Sequence, residues 1–123
     1  VEIDSPEQDQ QLRSARARLA QLRASLAQAQ AARQVSQANL KLASVTVARM
    51  KQLVAEGVMS KQAGDESQAQ FEARQADLGV QQANVNAARE SIRTQEAEVA
   101  RIEELNKFKQ VTAPFEGLIT VRN

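Results

Sequence analysis

Leu12, Leu19, Leu26, Leu40 and Val47 fall on one heptad column, and Ala15, Leu22, Ala29, Ala43 and Met50 form a companion column three residues on. Arg33 and Ser36 are the polar interruptions. Further along, Phe71, Leu78, Val85, Ile92 and Val99 repeat the heptad spacing without a break. Apolar residues sustained at this spacing mark helices that press one narrow seam against a partner. Punctuation residues divide the pattern in two. Ser5 is suited to an N-cap, Pro6 to the first helical position and Gln8 to the capping box, and neither Pro nor Gly follows until Gly57. Gly57 can take the left-handed conformation that closes a helix, and Ser60 can cap the next. The chain therefore predicts a helix over 6–55, a turn over 56–60 and a helix over 61–105, with Asn106, Lys107 and Lys109 as the stop. Gly64 and Gly79 each cost the second helix about 1 kcal/mol relative to Ala. At 1.5 Å per residue the helices reach roughly 75 and 68 Å, too long for a compact core.

Folding back around Met59 brings the columns together at a constant residue-number sum of 118: Val47 with Phe71, Leu40 with Leu78, Arg33 with Val85, Leu26 with Ile92, Leu19 with Val99. All but the Arg33 row match apolar to apolar. Charge favours the same pairing. Residues 10–55 hold eight bases and no acid, whereas 61–105 hold nine acids against five bases. A basic arm beside an acidic one is preferred over two basic arms together. The companion column of the second arm is weaker, with Arg74 or Gln75, Gln81 or Gln82, and Ala88 or Arg89 in its positions. Such a thin seam barely offsets backbone ordering, so the hairpin is expected to lean on neighbours, either copies of itself or partner helices.

The pattern changes outside 6–107. Val1 to Ile3 alternate as in a strand, and Phe108, Val111, Phe115, Leu118, Ile119 and Val121 crowd into the last residues around a Pro114-Phe115-Glu116-Gly117 turn. The expected organisation is mainly α: a long antiparallel two-helix coiled-coil hairpin inserted between short β segments, 1–5 and 108–123, of a small β domain. The strand-like ends and the opening Val1 read as an excerpt from a longer chain.

Composition narrows the chemistry. Alanine (22) and glutamine (17) dominate, there are three Phe and no Tyr or Trp, and the net charge is +1. Without Cys or His the chain has no thiol nucleophile, imidazole base or usual zinc ligand, so no enzyme is expected. Glu96 with Glu98 and Glu103 with Glu104 read as a solvated helix face rather than acid–base pairs. The bases of the first arm are spread round the helix with no aromatics among them, which argues against nucleic acid. No apolar run reaches the about 20 residues of a membrane span.

The ends and the turn together resemble the periplasmic adaptor, or membrane fusion, proteins (HlyD-like) of Gram-negative tripartite efflux pumps and type I secretion systems. Asp4, Ser5, Pro6, Glu7 and Asp9 look like the exit from the first half of a split lipoyl-like domain. Val111, Ala113, Pro114, Gly117 and Ile119 resemble the re-entry into its second half. Across the predicted turn Arg49, Leu53 and Ser60 match the family's tip pattern in kind and spacing. The resemblance implies a tip that docks on a TolC-type outer-membrane channel, an inner-membrane transporter as second partner, and hairpins packed side by side, often as a hexamer. It also implies a periplasmic location, with the parent protein anchored to the inner membrane. The turn at Pro114 to Gly117 lacks a Lys, so no lipoyl or biotinyl cofactor is expected.

The tip residues are legible on their own terms. Arg49 and Leu53 are four apart and share a helix face, Ser60 lies beyond the turn, and Val54, Val58 and Met59 add apolar surface where nothing can bury it. Ser60 has a second reading as a plain N-cap, Leu53 as the last seam layer and Arg49 as a solvated charge. The competing function is a coiled-coil scaffold or dimerisation rod with no transport role.

Overall fold

The computed structural model describes the backbone of residues 4–122 and the side chains of residues 7–108. Two helices make up the chain, α1 (Asp4–Ala55) and α2 (Lys61–Arg122), joined by the turn at 56–60. They form a two-helix hairpin that divides into two compact units, one built on 1–24 with 89–123 and the other on 25–88.

In the first unit α1 contributes buried Ala15 and Leu19, and α2 contributes buried Ile92, Val99 and Ile102. Both predicted columns thus face inward. Two cross-arm ion pairs flank this seam: Arg16 Nη2 to Glu103 Oε2 at 2.8 Å and Arg23 Nη2 to Glu96 Oε2 at 3.4 Å. Their residue numbers add to 119 in both cases, one step from the sum of 118 expected for the seam rows. With side chains 57% and 45% exposed, even the shorter pair is screened and worth about 0.2–1 kcal/mol. Burying one Val or Leu contributes about 1.5–3 kcal/mol, so the apolar seam rather than the charges holds this unit together.

The second unit is held by Val47 and Val85, the latter fully buried, with Leu40, Phe71 and Leu78 half-buried beside them in the sequence columns. The polar interruptions of α1 meet polar residues of α2. Arg33 Nη1 donates to Gln82 Oε1 at 3.2 Å, and the buried Ser36 hydroxyl donates to Asp77 Oδ2 at 2.9 Å. Of the alternatives in the weak column, Gln81, Gln82 and Ala88 turn inward while Arg74, Gln75 and Arg89 are exposed. Close approach of the arms near the turn shows at Gly64, where a Cβ would lie 3.1 Å from Val54 Cγ2. Gly64 thus has a packing reason that its helix propensity alone does not give.

Both helices overrun their predicted ends. α1 opens at Asp4 rather than residue 6, so Ser5 lies within the helix instead of capping it, a shift of the size by which helix ends fray. α2 continues past residue 105 to Arg122, and the strand and turn expected over 108–123 are helical in backbone as far as residue 122. Among the described residues there is no strand to pair with this segment. A lone strand leaves its N–H and C=O groups without partners, whereas a helix satisfies them within itself. The strand expected at Val1 to Ile3 lies outside the described residues.

The candidate interaction site at the hairpin turn

α1 stops because Gly57 takes φ +78°, a conformation that costs side-chain-bearing residues about 1–2 kcal/mol. The N–H of Gly57 donates to Val54 O at 3.0 Å and that of Val58 to Leu53 O at 2.9 Å. These two bonds make a Schellman cap, which satisfies carbonyls that a helix end otherwise leaves bare. Met59 N also reaches Leu53 O at 3.3 Å. α2 begins under Ser60, whose Oγ accepts from Ala63 N at 3.2 Å in the N-cap manner. The turn is therefore closed by its own backbone and one hydroxyl.

Its side chains remain outside. Val58 is 65% and Met59 39% exposed, Leu53 and Val54 are half-buried, and Arg49 is exposed with no ion pair to any described residue. The residues singled out from sequence thus fall into three roles. Ser60 and Leu53 build the turn, the hydroxyl and the carbonyl respectively. Val54 packs against Gly64. The side chains of Arg49, Val58 and Met59 are exposed, and Arg49 has no ion pair among the described residues.

Among the described residues no group of three or more His, Cys, Asp or Glu could hold a metal. The carboxylates considered for acid–base work include three held by arginines: Glu96 by Arg23, Glu103 by Arg16 and Glu98 by Arg101 at 2.6 Å. The hydrogen bond from Arg101, aided by its charge, holds the Glu98 carboxyl below its ordinary value of 4.5, against an opposing desolvation. A carboxyl at or below that value is ionised near neutrality and so unsuited to donate a proton there. The groove beside it, of about 590 Å³ and lined by Glu7, Arg18, Gln95, Glu98, Arg101 and Ile102 among others, is an open trough on the helix pair.

A further surface escaped sequence reading. On α1, Ala31, Val35, Ala38, Leu42 and Val45 are exposed at steps of four and three, and on α2 Ala69, Ala73, Ala76, Val80, Ala83 and Ala87 repeat the same steps. Leu42 is 67% and Val80 56% exposed. Both stripes belong to the second unit, where no ion pair forms among the described residues although α1 carries Lys41, Arg49 and Lys51 and α2 carries Asp65, Glu66 and Glu72. The steps of four and three are a signal in the sequence, masked by the larger residues of the inward columns.

The described residues form a pair of helices joined by a capped turn that leaves Val58 and Met59 exposed. The family model described as RND MFP, alpha-helical hairpin domain, matches residues 11–94, about two thirds of the chain, and the chain belongs to that family of membrane fusion proteins. The family is one of periplasmic efflux-pump adaptors, not enzymes. No match was found among curated proteins or among solved structures. No described helix is long and apolar enough to cross a membrane.

Proposed function

We propose that this chain is the hairpin of an adaptor subunit in a tripartite efflux or secretion system, and that its turn docks end-on with a TolC-type outer-membrane channel. The observation that carries the reading is the exposed surface of Arg49, Val58 and Met59 on a turn that needs none of their side chains for its own closure. Apolar side chains exposed at the end of a helix pair form a contact site, and an unpaired guanidinium suits the carbonyl-rich C-terminal end of a partner helix or a carboxylate there. Leu53 and Ser60 contribute to the docking face while holding the turn in shape. In this reading segments 1–5 and 108–123 belong to the two halves of a lipoyl-like domain, whose other strands would supply the pairing that 108–123 lacks here. The parent protein is anchored to the inner membrane, where it meets the transporter, and the hairpin reaches across the periplasm.

Self-association of hairpins side by side is supported by the two outward stripes. One copy's α1 stripe, flanked by bases, is complementary to the α2 stripe of the next, flanked by acids, a head-to-tail contact that makes a ring where the rotation between copies closes.

The docking experiment uses Arg49→Glu and Val58→Asp in the full adaptor, because neither side chain bonds within the described hairpin. Ser60→Ala is unsuitable, since loss of a cap alone costs about 1 kcal/mol. Circular dichroism and melting of both variants should match the parent, while complementation of efflux or secretion in a strain lacking the adaptor is lost. Full complementation by the double variant would remove the docking role and leave a scaffold rod.

A further inference from the structure

Arg33 is poorly served by its own hairpin. It sits half-buried in a column otherwise filled by Leu and Val, its hydrogen bond goes to the neutral amide of Gln82, and its Nε is buried without a partner. A cation retained at such a position does not stabilise the pairing it is found in. Its effect lies in the pairings it forbids.

Two symmetric pairings of α1 with the α1 of a second copy centre on this position. In a parallel pair each column meets itself in register, Leu26 on Leu26 and Leu40 on Leu40, with Arg33 on Arg33. In the antiparallel register that aligns the column from Leu12 to Val54, residue numbers add to 66, so Leu12 meets Val54, Leu19 meets Val47 and Leu26 meets Leu40. The centre of that overlap is again Arg33 on Arg33. Every other row of this column in either pair is apolar on apolar, and no acid exists in 10–55 to relieve the central one. In the hairpin the same residue shares a row with Val85 and reaches Gln82, and the neighbouring Ser36 finds Asp77.

We propose that Arg33 is a specificity residue that directs α1 to its own α2 by placing like charges at the centre of the parallel α1–α1 pair and of the antiparallel register whose residue numbers add to 66. A single polar residue in an apolar column fixes partner and register in this way, at a cost in stability. The inference concerns the choice of helix partner and holds whether or not the turn docks on a channel.

The chain has no cysteine, so Leu26→Cys and Leu40→Cys can report α1–α1 pairing directly. Within one chain these positions are about 21 Å apart along the helix, beyond disulfide reach, so every disulfide is between copies. Both belong to the seam column, which keeps them out of side-by-side contacts made through the outward stripes. The cysteine pair is placed in the full chain with Arg33 and with Arg33→Leu, and disulfide-linked dimer is measured after mild oxidation at matched helicity. The Arg33→Leu background should give at least about tenfold more dimer, as expected when a like-charge juxtaposition is removed. Arg33→Lys should behave like the parent. Equal cross-linking in the parent and Arg33→Leu backgrounds, or cross-linking with Arg33→Lys equal to that with Arg33→Leu, would overturn the proposal. Should Arg33→Leu fail to fold, Arg33→Met carries the same comparison.

Discussion

Three glycines in the same hairpin have three different consequences. At Gly57 the backbone is left-handed with φ +78°, so Gly57→Ala should destabilise by about 1–2 kcal/mol although nothing lies within 4 Å of the new methyl. At Gly79 the helix is ordinary and the space open, and Gly79→Ala should stabilise by about 0.5–1 kcal/mol. Gly64→Ala has the same propensity gain, but its methyl meets Val54 Cγ2 at 3.1 Å, so the gain is smaller than at Gly79. Urea or thermal melts of the three variants check the order. A Gly64→Ala protein more stable than Gly79→Ala would show that Val54 yields freely. The roles of Gly57 and Ser60 are readable from sequence because capping is a local, backbone-level requirement. That of Gly64 is not, since its reason lies ten residues back on the other helix.

At the scale of the helices, the heptad columns announce the pairing because period and partner both follow from one apolar face. The register is legible too, since a short turn fixes it, and the ion pairs of the first unit fall one step from the expected sum. The end of α2 defeats the sequence reading because a strand signal is only as good as its neighbours: Val111 to Val121 have strand composition, but no described strand lies alongside. The cross-arm pairs Arg16–Glu103 and Arg23–Glu96 are exposed, and a double-mutant cycle on either should return a coupling of at most about 1 kcal/mol. Raising salt should shrink it further, so a coupling that persists in about 1 M salt would contradict a surface pair. The Glu98–Arg101 contact within α2 has a pH signature. Because the folded pKa of Glu98 is depressed, its contribution is present above the ordinary value of 4.5 and is lost as pH falls through the folded value. Glu98→Gln should therefore flatten that acid limb of the melting profile while leaving the neutral region little changed. An unchanged acid limb in the variant would assign the pH dependence to other carboxylates.

For the whole molecule, the question is what the second unit does with surface it does not use internally. The large residues of the seam draw attention to the inward columns, and an alanine-rich chain has apolar residues on several faces at once, so sequence pattern cannot rank the outward ones. Burial ranks them: Val35, Leu42 and Val45 on one helix and Val80 on the other are exposed in a unit where opposite charges on the two arms form no ion pair among the described residues. Small residues at steps of four and three let helices approach closely, and the larger Val and Leu among them supply the area that makes approach worthwhile. If copies associate through these stripes, Leu42→Glu sets an acid among the acids of the neighbouring α2 and should weaken association, while Val80→Lys does the same against the basic α1. Each change is on an exposed position, so the helicity of dilute protein should stay near that of the parent. Combining the two converts both repulsions into an attraction, since the α1 stripe of one copy then presents the new carboxylate at position 42 to the new ammonium at position 80 of the next. Sedimentation equilibrium over a concentration series should show weaker association for each single variant and partial recovery in the double. Recovery is the informative arm, because general loss of apolar area predicts that two changes weaken association more than one, whereas pairing of the two stripes predicts the reverse.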